Sequence, residues 1–370
     1  MNDHLLQKEI SLGKNFKLFV NKKLGSGAFG NVYKGINNQS KKNIAIKCEF
    51  TKENNCSILR HETEILGYLQ GKKGIPKLYN YIETQNHNFM LFELLGPSFE
   101  QLLNLFKRKM PLKLVLLLGS QLLYLIEYIH SRHIIHRDIK PDNVLIGIKD
   151  KKNIVYITDF GLSKRFKDPK TGMHIPYKDN KKFVGTATFA SLYTHFGIEQ
   201  SRRDDLECLS YSLIYLIKGK LPWMNLKYRN KIEKQFKIFQ KKMNTTNEEL
   251  CKNLPNEFLT FVQYIKDLHF EEKPNYKYLE RLLGKIYNKI NCKYDTIIKY
   301  NNIVNIKNEK TGNNDNNKKS FSQIQNYKIL TKYNYFNYSI IKEKTEKKKF
   351  FLYIKIKLHL CVYKIIIVLV

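Results

Sequence analysis

The chain has 370 residues, 42% hydrophobic and 26% charged, and its 24 Tyr and 22 Phe need somewhere to pack, which excludes a wholly disordered protein. Its six cysteines (Cys48, Cys56, Cys208, Cys251, Cys292 and Cys361) stand in no CxxC spacing and near no His pair, which argues against a zinc site or a disulfide framework. Basic residues outnumber acidic ones by 65 to 33, a net charge of +32, which favours anionic partners without choosing among nucleic acid, a membrane surface and acidic or phosphorylated protein.

In chain order, residues 16–24 are apolar with alternation and predict a strand, followed by a Gly-rich turn over 25–30. Val32-Tyr33 and Ile44-Ala45-Ile46-Lys47 read as short strands. Residues 56–69 carry Ile58, Leu59, Ile65, Leu66 and Leu69 at helical spacing, with Glu62 among them, and 71–76 end that helix. Strand-like runs return at 78–82 and 89–92. After Gly96-Pro97 the pattern turns helical. Pro111 opens an apolar helix over 112–130 that belongs in the middle of a large lobe, and a second apolar helix covers 205–217. Residues 301–320 hold eight Asn and no aromatic side chain, so they read as linker or disorder. Residues 350–370 are apolar but broken by Lys355, Lys357 and Lys364. A membrane span needs ~20 apolar residues, so a packed terminal strand or an inert end is favoured over an anchor.

Gly25-Ser26-Gly27-Ala28-Phe29-Gly30 is a GxGxxG. In a dinucleotide fold such glycines open a helix, whereas here Asn31-Val32-Tyr33-Lys34 continues as a strand. The pattern is a hairpin folded over a ligand, with glycine N–H groups free to approach phosphates. Lys47 lies in an apolar run, where an unpaired ammonium is costly. Glu62, fifteen residues on, is its expected partner, and the pair would set Lys47 on the α- and β-phosphates of a nucleotide.

The strongest signal is His136-Arg137-Asp138-Ile139-Lys140-Pro141-Asp142-Asn143, followed by Asp159-Phe160-Gly161 behind an apolar strand at 154–157. Phosphoryl transfer needs a carboxylate facing the incoming hydroxyl, oxygen ligands for Mg²⁺ and cations on the phosphates. Asp138 supplies the first, Asn143 and Asp159 the second, and Lys140 a cation for the γ-phosphate.

Together GSGAFG, AIK, Glu62, HRDIKPDN and DFG resemble the eukaryotic protein kinases, and Lys140 two residues past Asp138 resembles their serine/threonine branch. Glu93-Leu94-Leu95-Gly96-Pro97-Ser98, His174-Ile175-Pro176-Tyr177, Gly185-Thr186-Ala187, the run from His195 to Glu207, Leu221-Pro222-Trp223 and Lys241-Lys242-Met243 narrow the resemblance to the casein kinase 1 family. It covers roughly 12–295. It implies an α+β, bilobal protein kinase fold: a β-rich lobe over 12–95, a helical lobe over 96–295, and a low-complexity tail over 296–370 without counterpart. It implies ATP and Mg²⁺, with Ser/Thr acceptors in acidic or phosphate-primed protein and no need for activation-loop phosphorylation. By the same resemblance Leu24, Val32 and Ala45 sandwich the adenine, Glu93 and Leu95 meet it through backbone, and Phe92 limits the rear of the pocket. Asp205 braces the catalytic loop, and Lys181 and Lys234 belong to a substrate-phosphate site.

Two departures bear on that site. The family pattern Gly-Thr-Ala-Arg-Tyr-Ala is here Gly185-Thr186-Ala187-Thr188-Phe189-Ala190, and Tyr193 stands where Asn is usual. The partners expected are acidic or phosphorylated proteins. No nucleic-acid module is recognised, membrane association through the tail is the minor reading, and the catalytic unit is expected to be monomeric. A pseudokinase scaffold is the alternative function, although Lys47, Asp138 and Asp159 are all present. Isolated thiols and the lack of an apolar signal core lead to an expected cytoplasmic setting, with nuclear import left open.

Overall fold

The computed structural model of the chain describes residues 9–27, 30–50 and 57–290. Ala28, Phe29, Cys56 and the tail expected over 296–370 lie outside the described residues.

Six antiparallel strands form the first lobe: β1 (Glu9–Leu12), β2 (Phe16–Gly27), β3 (Gly30–Asn37), β4 (Lys42–Phe50), β5 (Leu78–Glu83) and β6 (His87–Glu93), in the order β1-β2-β3-β4-β6-β5. The one helix among them, α1 (Ile58–Tyr68), follows β4. Alternation along the central strands makes two different faces. Ile44, Ile46, Phe89 and Leu91 form a small core with Leu12 and Leu18. The opposite face pairs Ala45 with Phe92 and Lys47 with Met90. There Met90 joins the large core together with Leu59, Ile65 and Leu66 of α1.

Strand β1 has no counterpart in the sequence reading: it is four residues long and only Leu12 is buried, too little for the alternation of Ile10 and Leu12 to mark a strand. The glycine segment also differs from expectation. Instead of turning over 25–30, β2 runs on through Gly25, Ser26 and Gly27, which pair with Val32, Asn31 and Gly30. The cause is steric. Gly30 has φ 137°, and a Cβ there would lie 2.2 Å from the Cys48 carbonyl oxygen of β4, so only glycine keeps β3 paired on both sides.

The second lobe is helical, as expected. It contains α2 (Phe99–Leu105), α3 (Leu112–Ser131), α4 (Leu192–His195), α5 (Arg202–Lys218), α6 (Lys231–Met243), α7 (Asn247–Cys251), α8 (Asn256–Asp267) and α9 (Tyr276–Lys289). Helix α3 is long and apolar enough to cross a membrane by composition. Here Val115, Leu122, Ile126 and Ile129 are buried in the lobe core, where α3 packs on α5 and α9. Two short two-stranded antiparallel ladders accompany the helices. β7 (Ile134–Ile135) pairs with β10 (Lys164–Arg165), and β8 (Val144–Ile146) pairs with β9 (Val155–Ile157). The loops after β7 and β9 carry the two polar motifs.

Candidate active site

Lys47 leaves β4 toward α1 and is buried. Its Nζ lies 2.6 Å from Glu62 Oε2 and 2.8 Å from Asp159 Oδ1. Burial opposes the charge on Lys47, but Glu62 and Asp159 outweigh it and hold the ammonium above the usual lysine range. Burial pushes the Glu62 carboxyl up to about 7 against the pull of Lys47. For Asp159 the balance is reversed: burial works against its charge, yet Lys47 draws the carboxyl below the usual range. Asp159 thus stays ionised beside Lys47, a hard oxygen ligand of the kind a divalent cation takes. Asp159 sits in the left-handed region at φ 66°, a strained conformation for a non-glycine residue. Phe160 beside it is buried in the main core and packs 5.2 Å from the His136 ring.

The loop after β7 is held from below by Asp205 of α5. Asp205 Oδ2 accepts the His136 N–H at 2.7 Å and Oδ1 accepts the Arg137 N–H at 2.8 Å. The His130 imidazole of α3 lies 2.9 Å from Oδ2. Asp138 follows on the same loop and is buried. Its Oδ2 accepts from Lys140 Nζ at 2.6 Å and from Asn143 Nδ2 at 3.2 Å. Asn143 Nδ2 also donates to the Asp138 carbonyl at 3.0 Å, which leaves its amide oxygen as an acceptor.

Lys140 has a second partner, Thr186 Oγ1 at 2.9 Å. The segment carrying Thr186 is seated against the loop at Gly185, where φ is +108° and a Cβ would come 2.7 Å from the Arg137 carbonyl oxygen. Lys242 of α6 holds the rest of that segment, donating to the carbonyls of Ala187 at 2.9 Å and Ala190 at 2.5 Å. Burial pulls the Lys242 ammonium down to about 7. Gly185→Ala is expected to lower stability by about 1–3 kcal/mol of backbone strain, read as a melting temperature lower by roughly 2–10 °C. An unchanged melting temperature would show that this segment is not pressed against the loop after β7.

The remaining expected site residues are placed as follows. Val32 is opposite Lys47 in the sheet, and Ala45 is buried on the same face as Lys47. Leu24 is exposed beside a register shift in β2. Glu93 turns its carboxylate away to Lys151 at 2.6 Å and to the Lys77 N–H at 3.2 Å. Among the described residues, no backbone hydrogen bond engages Leu95. Lys181 is paired with Glu199 at 3.2 Å, an ion pair that Lys164 shares at 2.9 Å. Lys234 lies over the Tyr228 ring at 5.1 Å.

The residues fit Mg²⁺. Among the described residues no cluster of His, Cys, Asp or Glu would hold a metal by itself. The Asn143 amide oxygen and the second Asp159 oxygen are hard donors of the kind Mg²⁺ takes alongside nucleotide phosphates.

The sequence model of the protein kinase domain matches residues 18–280, a span that contains every group just described. The chain belongs to the protein kinase family. A phosphotransferase accounts for the arrangement: the kinase domain sets cations and oxygen ligands around the buried Asp138 carboxylate. Sequence reasoning missed three partners in this kinase domain: Thr186 on Lys140, Lys242 on the Ala187–Ala190 carbonyls, and Glu199 on Lys181. Each is a contact between distant segments. Lys242 carries a positional signal, a lysine one turn after Ile238 on the buried side of α6. Tyr193 has a packing role, with the Arg203 guanidinium 3.5 Å over its ring.

Proposed function

We propose that this kinase domain transfers the γ-phosphoryl group of ATP to Ser and Thr hydroxyls in acidic or phosphate-bearing proteins, in the manner of the casein kinase 1 family. Lys47, oriented by Glu62, binds the α- and β-phosphates. The strand ends carrying Gly25, Ser26, Gly27, Gly30 and Asn31 cover them. Leu24, Val32 and Ala45 enclose the base, and the backbone of Glu93 and Leu95 reads its edge. Asn143 and Asp159 hold the metal. Mg²⁺ held by these residues would supply charge neutralisation to the phosphates. Asp138 orients the acceptor hydroxyl and takes its proton, and Lys140 meets the charge on the γ-phosphate.

The observation that carries this reading is Lys140, whose Nζ is shared by Asp138 and Thr186. That bridge ties the carboxylate and the ammonium to the segment over which an acceptor peptide would run. Phosphoamino-acid analysis of casein phosphorylated by the purified chain tests it. Phosphoserine and phosphothreonine are expected, and label confined to phosphotyrosine would sink the assignment.

Thr188 shapes the preference among such substrates. A phosphate carries about −1.5 to −2 charges and suits a bidentate arginine. Lys181 spends part of its charge on Glu199, and the Thr188 carbonyl already accepts the Trp223 indole N–H at 2.8 Å. Preference for phosphate-primed over merely acidic peptides is therefore weaker than the family resemblance implies. Thr188→Arg is expected to raise kcat/KM for a primed peptide by about tenfold, equivalent to 1.4 kcal/mol, and to leave an unprimed acidic peptide unaffected. The gain should shrink with added salt. If Thr188→Arg changes nothing while Lys182→Ala lowers primed activity sharply, Lys182 already fills the gap and this reading of position 188 fails.

A further inference from the structure

Lys47 and Glu49 are two residues apart on β4, so both side chains leave the same face of the sheet. Ile46 and Cys48 pack on the other face with Phe89 and Leu91. Lys47 reaches Glu62 in the second turn of α1. Glu49 reaches the start of the same helix. Its Oε1 accepts the N–H groups of Ile58 at 3.1 Å and Leu59 at 3.4 Å. Its Oε2 accepts the Ser57 hydroxyl at 2.5 Å and faces Asn88 Nδ2 at 3.5 Å. Ser57 is itself the N-cap, accepting the Arg60 N–H at 3.0 Å.

The first turn of α1 contains no acidic residue of its own. Glu49 therefore supplies, from a neighbouring strand, the negative charge and the acceptors that a helix N-terminus lacks. Helix α1 is fastened to β4 at two points about a turn apart. One point is the ion pair in the cleft, and the other is this cap. Rotation of α1 that carried Glu62 away from Lys47 would also have to break the cap.

We propose that Glu49 is a positioning residue for phosphoryl transfer: by capping α1 from β4 it keeps Glu62 on Lys47 without help from an outside partner. The proposal rests on the reading of Lys47 as the cation that binds nucleotide phosphates. It assigns the assembled state of the cleft to a contact within the chain.

The test is a double-mutant cycle in the full chain, with Glu49→Ala and Glu62→Ala made singly and together. Mg·ATP affinity and the KM values for ATP and for casein are the readouts. Glu49→Ala is expected to weaken ATP binding about tenfold, the loss typical of a removed helix cap. The KM for casein should stay within about twofold, because the acceptor groups are untouched. Glu49→Gln keeps one oxygen acceptor and should recover part of the loss; it serves for the cycle if the alanine variant does not fold. In the Glu62→Ala background, Glu49→Ala should weaken ATP binding no further, since its effect runs through Glu62. Additive losses, an equal rise in the KM for casein, or unchanged ATP affinity in Glu49→Ala would each overturn the proposal. Failure of the underlying reading is distinguishable: Glu62→Ala would then bind Mg·ATP like the wild type.

Discussion

Asp138→Asn should abolish most catalysis while leaving the fold intact. The substitution preserves shape, and the amide oxygen can still accept from Lys140 and Asn143, the two side chains now bonded to Oδ2. What it removes is the basicity that draws the acceptor proton. Loss of a general base typically lowers rate by ~10²–10⁴-fold, or about 2.7–5.5 kcal/mol of barrier. The KM for ATP should hardly move, because Lys47, Glu62 and Asp159 are unaffected. Initial rates on casein with matched melting curves check this. Equal phosphate incorporation by wild type and Asp138→Asn would show that the carboxylate has another task.

The second large effect is expected at Asp205, and it falls on stability as well as rate. This carboxylate is buried and accepts from two backbone N–H groups and from His130. Asp205→Ala leaves three donors unmet in the interior, at about 1–3 kcal/mol each before relaxation. A loss of about 3–5 kcal/mol is expected, in line with removing one partner from a buried charged network. Asp205→Asn keeps the volume and should lose less. The pH dependence has a definite sign. Burial opposes the Asp205 charge, but His130 and the backbone donors outweigh it and lower its pKa. A carboxylate depressed in the fold contributes its stability above its unfolded pKa of about 3.9. That contribution is lost as pH falls through the lower folded value. Urea midpoints for wild type and Asp205→Asn should therefore differ by a constant amount from pH 5 to pH 8. The gap should narrow only below about pH 4. A gap that closes between pH 5 and pH 7 would point to His130 as the group that matters.

The parts that were legible in the sequence are those whose signal is local. Alternation in Ile44–Lys47 marks β4, and the spacing of Leu59, Ile65 and Leu66 marks α1, because one buried face imposes each period. The motif residues Asp138, Asn143 and Asp159 were legible for a related reason, since each motif lies on a single loop. The course of the glycine segment was not, because the close approach of β4 to Gly30 is a tertiary constraint. Lys140 with Thr186, Lys242 with Ala187, and Glu49 with the start of α1 join segments that only folding brings together. Strand β1 was not legible because only Leu12 of its four residues is buried, too short a signal to mark a strand.

The central claim is that these groups form a working phosphotransferase. Incubation of casein with the full chain, Mg²⁺ and ATP labelled at the γ-phosphate tests it most directly. The account predicts label on serine and threonine that is lost on chelating Mg²⁺ and nearly lost in Asp159→Asn, whose carboxylate is paired with Lys47 at 2.8 Å. Absence of label with the wild-type chain, or label that persists undiminished without Mg²⁺ and in Asp159→Asn, would contradict it.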